Sequence, residues 1–324
     1  MIIFLCKHNI SNSFQFGFRP SSNTSLAIFN LVKDFMNTFN RKAYTVALFI
    51  DLKKAFDLVD RDILASKLSR YGFRGVVNDF LTSYLSNRKQ FTTINDFRSD
   101  PLHINHGVPQ GSVLGPVLFN IFINDMINIP SCKKILFADD TVFYTTSLDF
   151  NECIYEINEM LRQLKVWLQS NRLLINVKKT KLMLITPKFQ PILPPVYFDG
   201  AAIEWVQTIK YLGLTLDNRL TFNIHVNEIC NKLSKFKGVF YSLSSLVPRS
   251  VLLNLYSAFV YPVLINNIII WGGLNLTNGR RIQILLNKML RIILNVEYNN
   301  YIPLMDTTDM YKQLELLKFY DIYR

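Results

Sequence analysis

Apolar residues recur along this chain with two different periods, and the change between these periods outlines the predicted elements. Residues 24–39 have helical spacing and follow Ser and Asn residues that are suited to cap a helix. Residues 43–50 form a short apolar run that is typical of a buried strand. In residues 135–144, ILFADDTVFY, apolar runs flank Asp139 and Asp140, which predicts a hairpin with two acids at its tip.

The elements between and after these segments change from mixed to helical. Two short helices are predicted over residues 62–87, a helix capped by Ser112 runs to about Asn128, and an amphipathic helix covers residues 151–170. The remaining predicted strands are QFTTI, the segment near Leu102, RLLINV, KLMLIT, the hairpin VYFDGAAIEW, and IKYLGLTLD. After residue 220 the pattern is almost wholly helical, so an all-α region is expected to follow the mixed one.

One long uncharged segment tests for a membrane span. Ser250 to Gly279 contains no charged residue. Part of it is as long as the roughly 20 residues that a bilayer span requires, but Asn254, Pro262, Asn266 and Asn267 interrupt it. A helix that is apolar on all sides need only be buried in protein, so buried helices are the preferred interpretation and no membrane partner is expected.

The charge of the 324-residue chain is basic and uneven. There are 36 Lys and Arg residues against 24 Asp and Glu residues, a net charge of +12. The net charge is +6 over residues 1–100, +1 over residues 101–200 and +5 over residues 201–324. A near-neutral middle between basic ends suits a bound polyanion, while charge that only confers solubility is the plainer explanation.

The four cysteines show no C-x-x-C spacing. In a chain of this length they predict reduced thiols, and therefore an intracellular protein, rather than a metal site or a disulfide framework. The sequence does not distinguish the nucleus from the cytoplasm.

Three acids that are distant in sequence are expected to share one edge of the predicted sheet. The strand over residues 43–50 ends at Asp51, and the hairpin carries Asp139 and Asp140. If these strands are neighbours, each carboxylate raises the pKa of the others, and a hard divalent cation such as Mg²⁺ with substrate phosphates relieves the repulsion. Two surface acids in a solvated turn are the alternative, which the flanking apolar strands and Asp51 disfavour.

Six sequence motifs follow one another in a specific order and at specific intervals. They are QFGFRPSSNTSLAI (15–28), FIDLKKAFDLVDRDIL (49–64), GVPQGSVLGPVLFNIFIND (107–125), FADD (137–140), LLINVKKTKLML (173–184) and KYLGLTLD (210–217). F-x-D-D alone is weak, but the complete series is specific. The chain resembles the reverse transcriptase domain of non-LTR retrotransposons, the jockey-like or LINE-type elements.

The resemblance implies an α+β fold: a right-hand polymerase palm, an antiparallel sheet with packed helices, with partial fingers and an all-α thumb. The implied divisions are partial fingers 1–42, palm 43–61, a fingers/palm insertion 62–106, palm 107–218, and a helical thumb with a C-terminal extension 219–324. The earlier fingers segment, the endonuclease domain and the zinc knuckle of these elements have no counterpart in the sequence. An N-terminally truncated copy that needs a separate endonuclease domain or protein is therefore expected.

The same resemblance implies an RNA-directed DNA polymerase that adds deoxynucleoside triphosphates to the 3′-hydroxyl of a DNA primer or target on an RNA template. Two Mg²⁺ ions, with Mn²⁺ as a substitute, are implied at Asp51, Asp139, Asp140 and the carbonyl of Leu52. The pattern N-x-x-K-T selects Lys179 as the residue that protonates departing pyrophosphate. A solvated surface lysine is the alternative explanation of Lys179.

Several residues are implied to contact the nucleotide or the template. Phe56 resembles the steric gate that rejects a ribose 2′-hydroxyl, with a core phenylalanine as the alternative. Gln110 and Gly111 resemble a nucleotide or template contact, although an amide can equally brace its own loop. Asp57 and Asp60 are interpreted as surface acids or as the cap of the helix that follows them.

Phosphate and primer contacts are implied at both ends of the chain. Arg19 is suited to bind phosphate, and the triphosphate, the template and the neighbouring loop are all open as its partner. Tyr211, Leu212 and Gly213 resemble a primer grip, with a buried strand and a glycine bulge as the alternative. The implied thumb is basic, with Glu228 and Glu297 opposing Lys232, Lys235, Lys237, Arg249, Arg280, Arg281, Lys288 and Arg291.

Two other functions compete with this interpretation. The first is a catalytically silent retroelement remnant that binds nucleic acid through its basic flanks, which the lack of the earlier fingers segment favours. The second is an RNA polymerase with a similar palm, which Phe56 disfavours because a large ring leaves no room for a 2′-hydroxyl.

Overall fold

The computed structural model describes residues 1–8, 10–129, 132–273, 276–295 and 307–323. The chain forms two compact units, residues 1–207 and residues 208–324.

The first unit combines six α-helices with ten strands. Its helices are α1 (Ile2–Lys7), α2 (Thr24–Asn40), α3 (Arg61–Arg70), α4 (Val76–Leu85), α5 (Gly115–Ile123), followed by a 3₁₀ turn (Asn124–Asn128), and α6 (Phe150–Asn171). Its strands, as far as the described residues extend, are β1 (Tyr44–Ile50), β2 (Lys89–Gln90), β3 (Thr93–Ile94), β4 (Phe97–Arg98), β5 (Leu102–His103), β6 (Lys133–Phe137), β7 (Asp140–Ser147), β8 (Lys181–Ile185), β9 (Val196–Phe198) and β10 (Ala201–Trp205).

The central sheet of this unit has the strand order β6-β7-β1-β8-β10-β9. β1 pairs antiparallel with β7 and with β8, and β10 runs parallel to β8. On one face of β1, Val46, Leu48 and Ile50 join a core cluster with residues of α3, α5 and α6. On the other face, the hydroxyls of Thr45 and Thr38 in α2 share a hydrogen bond at 2.6 Å. Burial on both faces explains the unbroken apolar sequence of β1.

The structure confirms the elements that the sequence predicted around this sheet. α2, β1, the β6–β7 hairpin, α6 and the β9–β10 hairpin lie where the apolar pattern placed them. Asn23 caps α2 by accepting a hydrogen bond from the Leu26 amide at 2.8 Å. Asp60 caps α3, since its carboxylate accepts from the amides of Asp62 and Ile63, both at 3.0 Å. The cap interpretation of Asp60 is therefore correct.

Two predicted strands were wrong. The segment RLLINV is not a strand: it forms a single bridge, between Ile175 and Leu52, before the chain turns. The segment IKYLGLTLD is not one strand but a hairpin, because Leu212 and Gly213 both have positive φ, 46° and 84°. Leucine seldom adopts this conformation, so the sequence carried no signal for the turn.

The helix predicted from Ser112 to Asn128 is shorter and has two parts. Its α-helical part begins at Gly115, where Ser112 Oγ accepts a hydrogen bond from the amide at 3.0 Å, and it ends at Ile123. The predicted capping residue thus acts from outside the helix. The remaining residues to Asn128 tighten into the 3₁₀ turn, which is common at helix ends.

The second unit is a hairpin followed by helices. Its elements are β11 (Thr208–Tyr211), β12 (Leu214–Asp217), α7 (Asn223–Leu243), α8 (Arg249–Leu255), a π turn (Tyr256–Val260), α9 (Tyr261–Ile265), α10 (Ile268–Trp271), α11 (Leu276–Leu294), α12 (Thr307–Gln313) and α13 (Phe319–Tyr323). α7 packs against α11 and β12. The β11–β12 hairpin, which the sequence assigned to the palm, therefore belongs to the same compact unit as these helices.

The uncharged segment from Ser250 to Gly279 contains several short helices rather than one long helix. Most of α8, the π turn, α9 and α10 fall within it, and Tyr256, Val260 and Leu264 are buried. In the described part of the chain, no helix combines the length and the apolar character needed to span a bilayer.

Candidate active site

The sheet edge at which β1 ends carries three aspartates. β1 ends at Ile50, and Asp51 follows directly. Ile50 pairs with Thr141 of the antiparallel β7, so the same register places Asp51 opposite Asp140, with Asp139 in the turn of the β6–β7 hairpin. The structure therefore brings together the carboxylates that the sequence expected to meet. Their roles as metal ligands stay predictions.

Desolvation and mutual repulsion disfavour the ionised form of the aspartates at this edge. Desolvation raises the pKa of Asp139; a hydrogen bond from its own backbone opposes this rise, and the charge of Asp51 adds to it. The pKa of Asp140 is raised to about 6, mainly by desolvation and then by the charges of Asp139 and Asp51. This rise occurs although Asp140 as a residue is exposed to solvent. A cation among the three groups would remove the repulsion.

The donor set suits a hard divalent cation. Asp51 O accepts a hydrogen bond from the amide of Asn176, on the β8 side of the chain, at 2.8 Å. Because successive carbonyls alternate in direction along an extended chain, the Leu52 carbonyl faces the β7 side. No group of three or more His, Cys, Asp or Glu side chains among the described residues forms a metal site by itself. Mg²⁺ commonly uses one or two carboxylates and completes its shell with water and substrate phosphates.

The backbone of Asp51 is held by a turn that is remote in sequence. Besides the Asn176 bond to its carbonyl, Asp51 N donates to Thr180 Oγ1 at 3.3 Å. Lys179 is exposed in this turn, which its own amide closes by donating to Asn176 O at 3.0 Å. The first and last residues of the motif N-x-x-K-T, Asn176 and Thr180, thus both bond the backbone of Asp51. Sequence analysis selected only its lysine and missed Asn176 and Thr180.

The loop that contains Gln110 is attached to the loop after β1. The amide of Gly107 donates to Val59 O at 2.7 Å, and that of Val108 donates to Phe56 O at 2.9 Å. Gln110 Nε2 donates to Asp57 Oδ1 at 2.7 Å. The amide of Gln110 therefore braces two loops against each other. Asp57 is the acceptor of this bond, rather than the helix cap that was one of the two interpretations of it.

Arg61 fixes the start of the same loop. Its guanidinium donates to the carbonyls of Ile104, His106 and Gly107 at 2.7, 3.1 and 3.1 Å. Sequence analysis missed this residue. A signal was available, because an arginine in the first turn of a helix is disfavoured by the helix dipole and therefore requires a partner elsewhere.

The family profile described as "Reverse transcriptase (RNA-dependent DNA polymerase)" matches residues 1–216. This chain belongs to the reverse transcriptase family. The matched region contains the aspartate edge, the Lys179 turn and the Gln110 loop.

Two curated relatives match this chain over most of its length. The chain is 32% identical over 297 residues to the probable RNA-directed DNA polymerase from transposon BS of Drosophila melanogaster, covering 88% of this chain and 33% of the relative. It is 29% identical over 322 residues to the RNA-directed DNA polymerase from mobile element jockey of the same species, covering 95% and 34%. The chain thus spans about a third of these relatives.

The structure of apo telomerase from Candida tropicalis has a similar fold. The TM-score is 0.51 at 11% identity, covering 96% of this chain and 50% of that one. At this identity the likeness concerns the fold, and it agrees with the α+β polymerase architecture expected from the sequence.

Phe56 and Arg19 of this chain have defined neighbours in the structure. The Phe56 ring is half-buried and stacks on Phe119 of α5, with centroids 4.3 Å apart. Arg19 Nη1 donates to the carbonyls of Asn12 and Gln15, the latter at 3.1 Å. The neighbouring loop thus contacts Arg19, and binding of Arg19 to the triphosphate or the template stays a prediction. The steric-gate role of Phe56 stays a prediction.

The residues predicted to grip the primer form the β11–β12 turn of the second unit. Tyr211 is buried and pairs with Leu214, and Leu212 and Gly213 form the two-residue turn. The basic residues predicted for the thumb lie on α7, α11 and the start of α8, and most are exposed. Glu228 accepts a hydrogen bond from Thr215 Oγ1 at 2.9 Å, and Glu297 lies outside the described residues. The nucleic-acid roles of this unit stay predictions.

Proposed function

We propose that this chain is the polymerase part of a non-LTR retrotransposon protein, adding deoxynucleotides to a primer 3′-hydroxyl on an RNA template. The observation that carries the proposal is the register of β1 with β7, which sets Asp51 opposite Asp140 and beside the turn with Asp139. The relatives named RNA-directed DNA polymerases from mobile elements support the choice of substrate.

Two Mg²⁺ ions, replaceable by Mn²⁺, are the proposed cofactors. Bound at Asp51, Asp139, Asp140 and the Leu52 carbonyl, they would lower the pKa of the primer hydroxyl and neutralise charge on the departing pyrophosphate. Asn176 and Thr180, which bond the backbone of Asp51, would hold this ligand in place. Catalysis by positioning and charge neutralisation requires no covalent intermediate with the protein.

The proposed roles around this centre follow from the local contacts. Phe56, stacked on Phe119, occupies the space of a ribose 2′-hydroxyl. Gln110 and Gly111 lie in the loop that approaches the nucleotide or the templating strand, braced by Asp57. Lys179, exposed in the turn that holds Asp51, donates a proton to pyrophosphate.

The proposed partners are an RNA template, a DNA primer or target, and deoxynucleoside triphosphates. We further propose that an endonuclease activity comes from another domain or protein, and that the chain acts inside the cell. The basic α7 and α11 would form a thumb that binds duplex phosphates, and Tyr211, Leu212 and Gly213 would grip the primer end. The division into fingers, palm and thumb given above is part of the same proposal.

Primer extension with two matched variants tests this function. The substrates are an RNA template, a DNA primer, deoxynucleotides and Mg²⁺. Asp139→Asn should lower the extension rate by at least about a thousandfold, because several kcal/mol of transition-state stabilisation depend on metal binding. Asp199→Asn is the control: Asp199 is also a turn residue of a hairpin in this sheet, but it pairs with Lys165 on the surface. Salt-sensitive nucleic-acid binding without extension, unchanged by Asp139→Asn, would instead identify a silent remnant.

Substitution of Phe56 tests the sugar specificity. Phe56→Ala removes the ring and should admit ribonucleotides, so the ratio of kcat/KM for deoxynucleotides over ribonucleotides should fall. Phe119→Leu, which removes only the stacking partner, is the comparison and should change this ratio less. An unchanged ratio in Phe56→Ala would contradict the gate.

A further inference from the structure

A short segment near the N-terminus extends the sheet beside the catalytic turn. The Phe16 amide donates to Leu136 O at 2.8 Å, and the Leu136 amide donates to Phe14 O at 2.9 Å, forming a parallel bridge between Gln15 and Leu136. Leu136 belongs to β6, an edge strand of the central sheet. The segment thus covers β6 where it enters the turn that contains Asp139.

The side chain of Gln15 reaches the turn itself. Gln15 Oε1 accepts hydrogen bonds from the amides of Gly17 at 2.8 Å and Ala138 at 3.1 Å. Gln15 is 5% exposed. Two backbone donors converge on one atom, so the acceptor is the amide oxygen rather than the NH₂ group.

Ala138 needs this support because of its conformation. It has φ 54°, in the left-handed region that a residue with a Cβ rarely adopts, and it is buried directly before Asp139. The segment also needs a glycine for its approach, since a Cβ on Gly17 would lie 2.5 Å from Ala138 N. The turn is therefore held in an unfavourable conformation by contacts with a distant segment.

We infer that Gln15 is a positioning residue for the catalytic turn: by accepting the Ala138 amide, it holds Ala138 left-handed and so directs Asp139 toward Asp51. Gln15 is buried, so its proposed role is exerted through Ala138. The inference rests on the proposed function for its effect on catalysis, while its effect on the turn is independent of that function.

Gln15 also lines a small cavity whose walls are mostly apolar. The cavity has a volume of about 30 Å³, and Asn12 and Asn120 also line it. Within the described residues, Gln15 Nε2, Asn12 Nδ2 and Asn120 Oδ1 have no hydrogen-bond partner in the protein. The volume suffices for one or two waters. A neutral amide at residue 15 can bond both the Ala138 amide, through its oxygen, and a water in the cavity, through its NH₂ group. A carboxylate at residue 15 keeps the acceptor for Ala138 but has no donor for the cavity.

Hydrogen exchange of the Ala138 amide in the full chain tests the effect on the turn. Gln15→Met keeps a similar volume without the acceptor, and its Ala138 amide should exchange about tenfold faster. Gln15→Glu retains an acceptor oxygen and should restore most of the protection. Asn124→Ala is the matched control, because Asn124 bonds Ile10 O and the Asn12 amide of the same segment but not the turn.

Primer extension adds the catalytic readout. Gln15→Met should lower kcat by roughly a hundredfold, as expected for a displaced catalytic group, with KM for the template nearly unchanged, and Gln15→Glu should recover much of the loss. Unchanged Ala138 exchange in Gln15→Met would overturn the inference. So would equal defects in Gln15→Glu and Gln15→Met, or an equal increase in exchange in Asn124→Ala. If the wild-type chain does not extend primers at all, the polymerase proposal fails, but the exchange result still decides the role of Gln15.

Discussion

The β9–β10 and β6–β7 hairpins belong to the same sheet, and both carry aspartate in a two-residue turn whose first residue has positive φ, but they differ in the residues of the turn and in its charge environment. In the β9–β10 turn, Asp199 and Gly200 have φ of 48° and 77°. Asp-Gly adopts such a turn at little cost. The carboxylate of Asp199 is neutralised by Lys165 at 2.6 Å, and the space around Gly200 is open.

The β6–β7 turn has an alanine in the left-handed position followed by Asp139, and a second acid, Asp140, begins β7. Ala138 is buried at φ 54°, and Asp139 and Asp140 face Asp51 instead of a lysine. Backbone conformation and charge both oppose folding there, whereas both favour it in the β9–β10 turn. Such unfavourable features persist where function requires them, so the contrast supports the proposal that the aspartate edge is the functional end of the sheet.

The first test asks how strongly desolvation shifts the pKa of an ionisable group that is not part of the aspartate edge. Desolvation lowers the pKa of buried His225 to about 4, with a smaller opposing effect of Glu228 and further lowering by Lys232 and Lys210. Because the unfolded chain, with a pKa near 6.5, binds the proton more tightly, stability is full above about pH 6.5. It should fall by about 3 kcal/mol as the pH drops to about 4.

His225→Asn is the control for this pH dependence. Asn can still accept from the Thr215 amide, as His225 Nδ1 does at 3.3 Å, but it does not titrate, so its stability should vary less across this range. The fluorescence of Trp271, whose ring centroid is 5.5 Å from that of His225, reports unfolding when the other two tryptophans are replaced by Phe. Equal pH slopes in the two proteins would contradict the assignment.

The second test adds a cation. Mg²⁺ or Mn²⁺ should stabilise the wild-type chain, by about 2.7 kcal/mol at a hundredfold excess over Kd, because the ion binds only the folded aspartate edge. Asp139→Asn should lose most of this gain, and Asp199→Asn should keep it. Urea unfolding with and without the cation measures the difference. The same gain in all three proteins would place the cation elsewhere.

The third test exchanges the backbone properties of the two turns. Ala138→Gly should stabilise the first unit, and Gly200→Ala should destabilise it, each by about 1 kcal/mol, since only glycine adopts positive φ without penalty. The measurement is the urea midpoint in the presence of EDTA. A loss of stability in Ala138→Gly would show that Ala138 is not strained.

The smallest effect concerns charge alone. In EDTA, Asp139→Asn should gain about 0.5 kcal/mol, because it removes a repelled carboxylate that is still partly screened by solvent. Asp199→Asn should lose about 0.5 kcal/mol or less, because it removes a surface ion pair. Both differences should shrink in high salt. Changes of the same sign in the two variants would remove the electrostatic contrast between the hairpins.

The sequence by itself determined the order of the main elements and the family; it also indicated Ser or Asn caps before residue 24 and offered a helix cap as one of two interpretations of Asp60. These features depend on local period, local capping chemistry or motif order, all of which are written in neighbouring residues. It also placed Asp51 at the end of a strand and Asp139 and Asp140 at a hairpin tip, which was enough to expect that they meet.

The tertiary structure alone decided which residues support that edge. Thr180 lies 129 positions from Asp51, and Gln15 lies 123 positions from Ala138. Gln15 and Thr180 both lie within the quoted motifs, but a polar side chain that binds a distant backbone leaves no periodicity in sequence, so its backbone partner could not be predicted. Likewise, RLLINV has the composition of a strand, but it pairs at one position only, because strand pairing depends on the neighbour that the fold supplies.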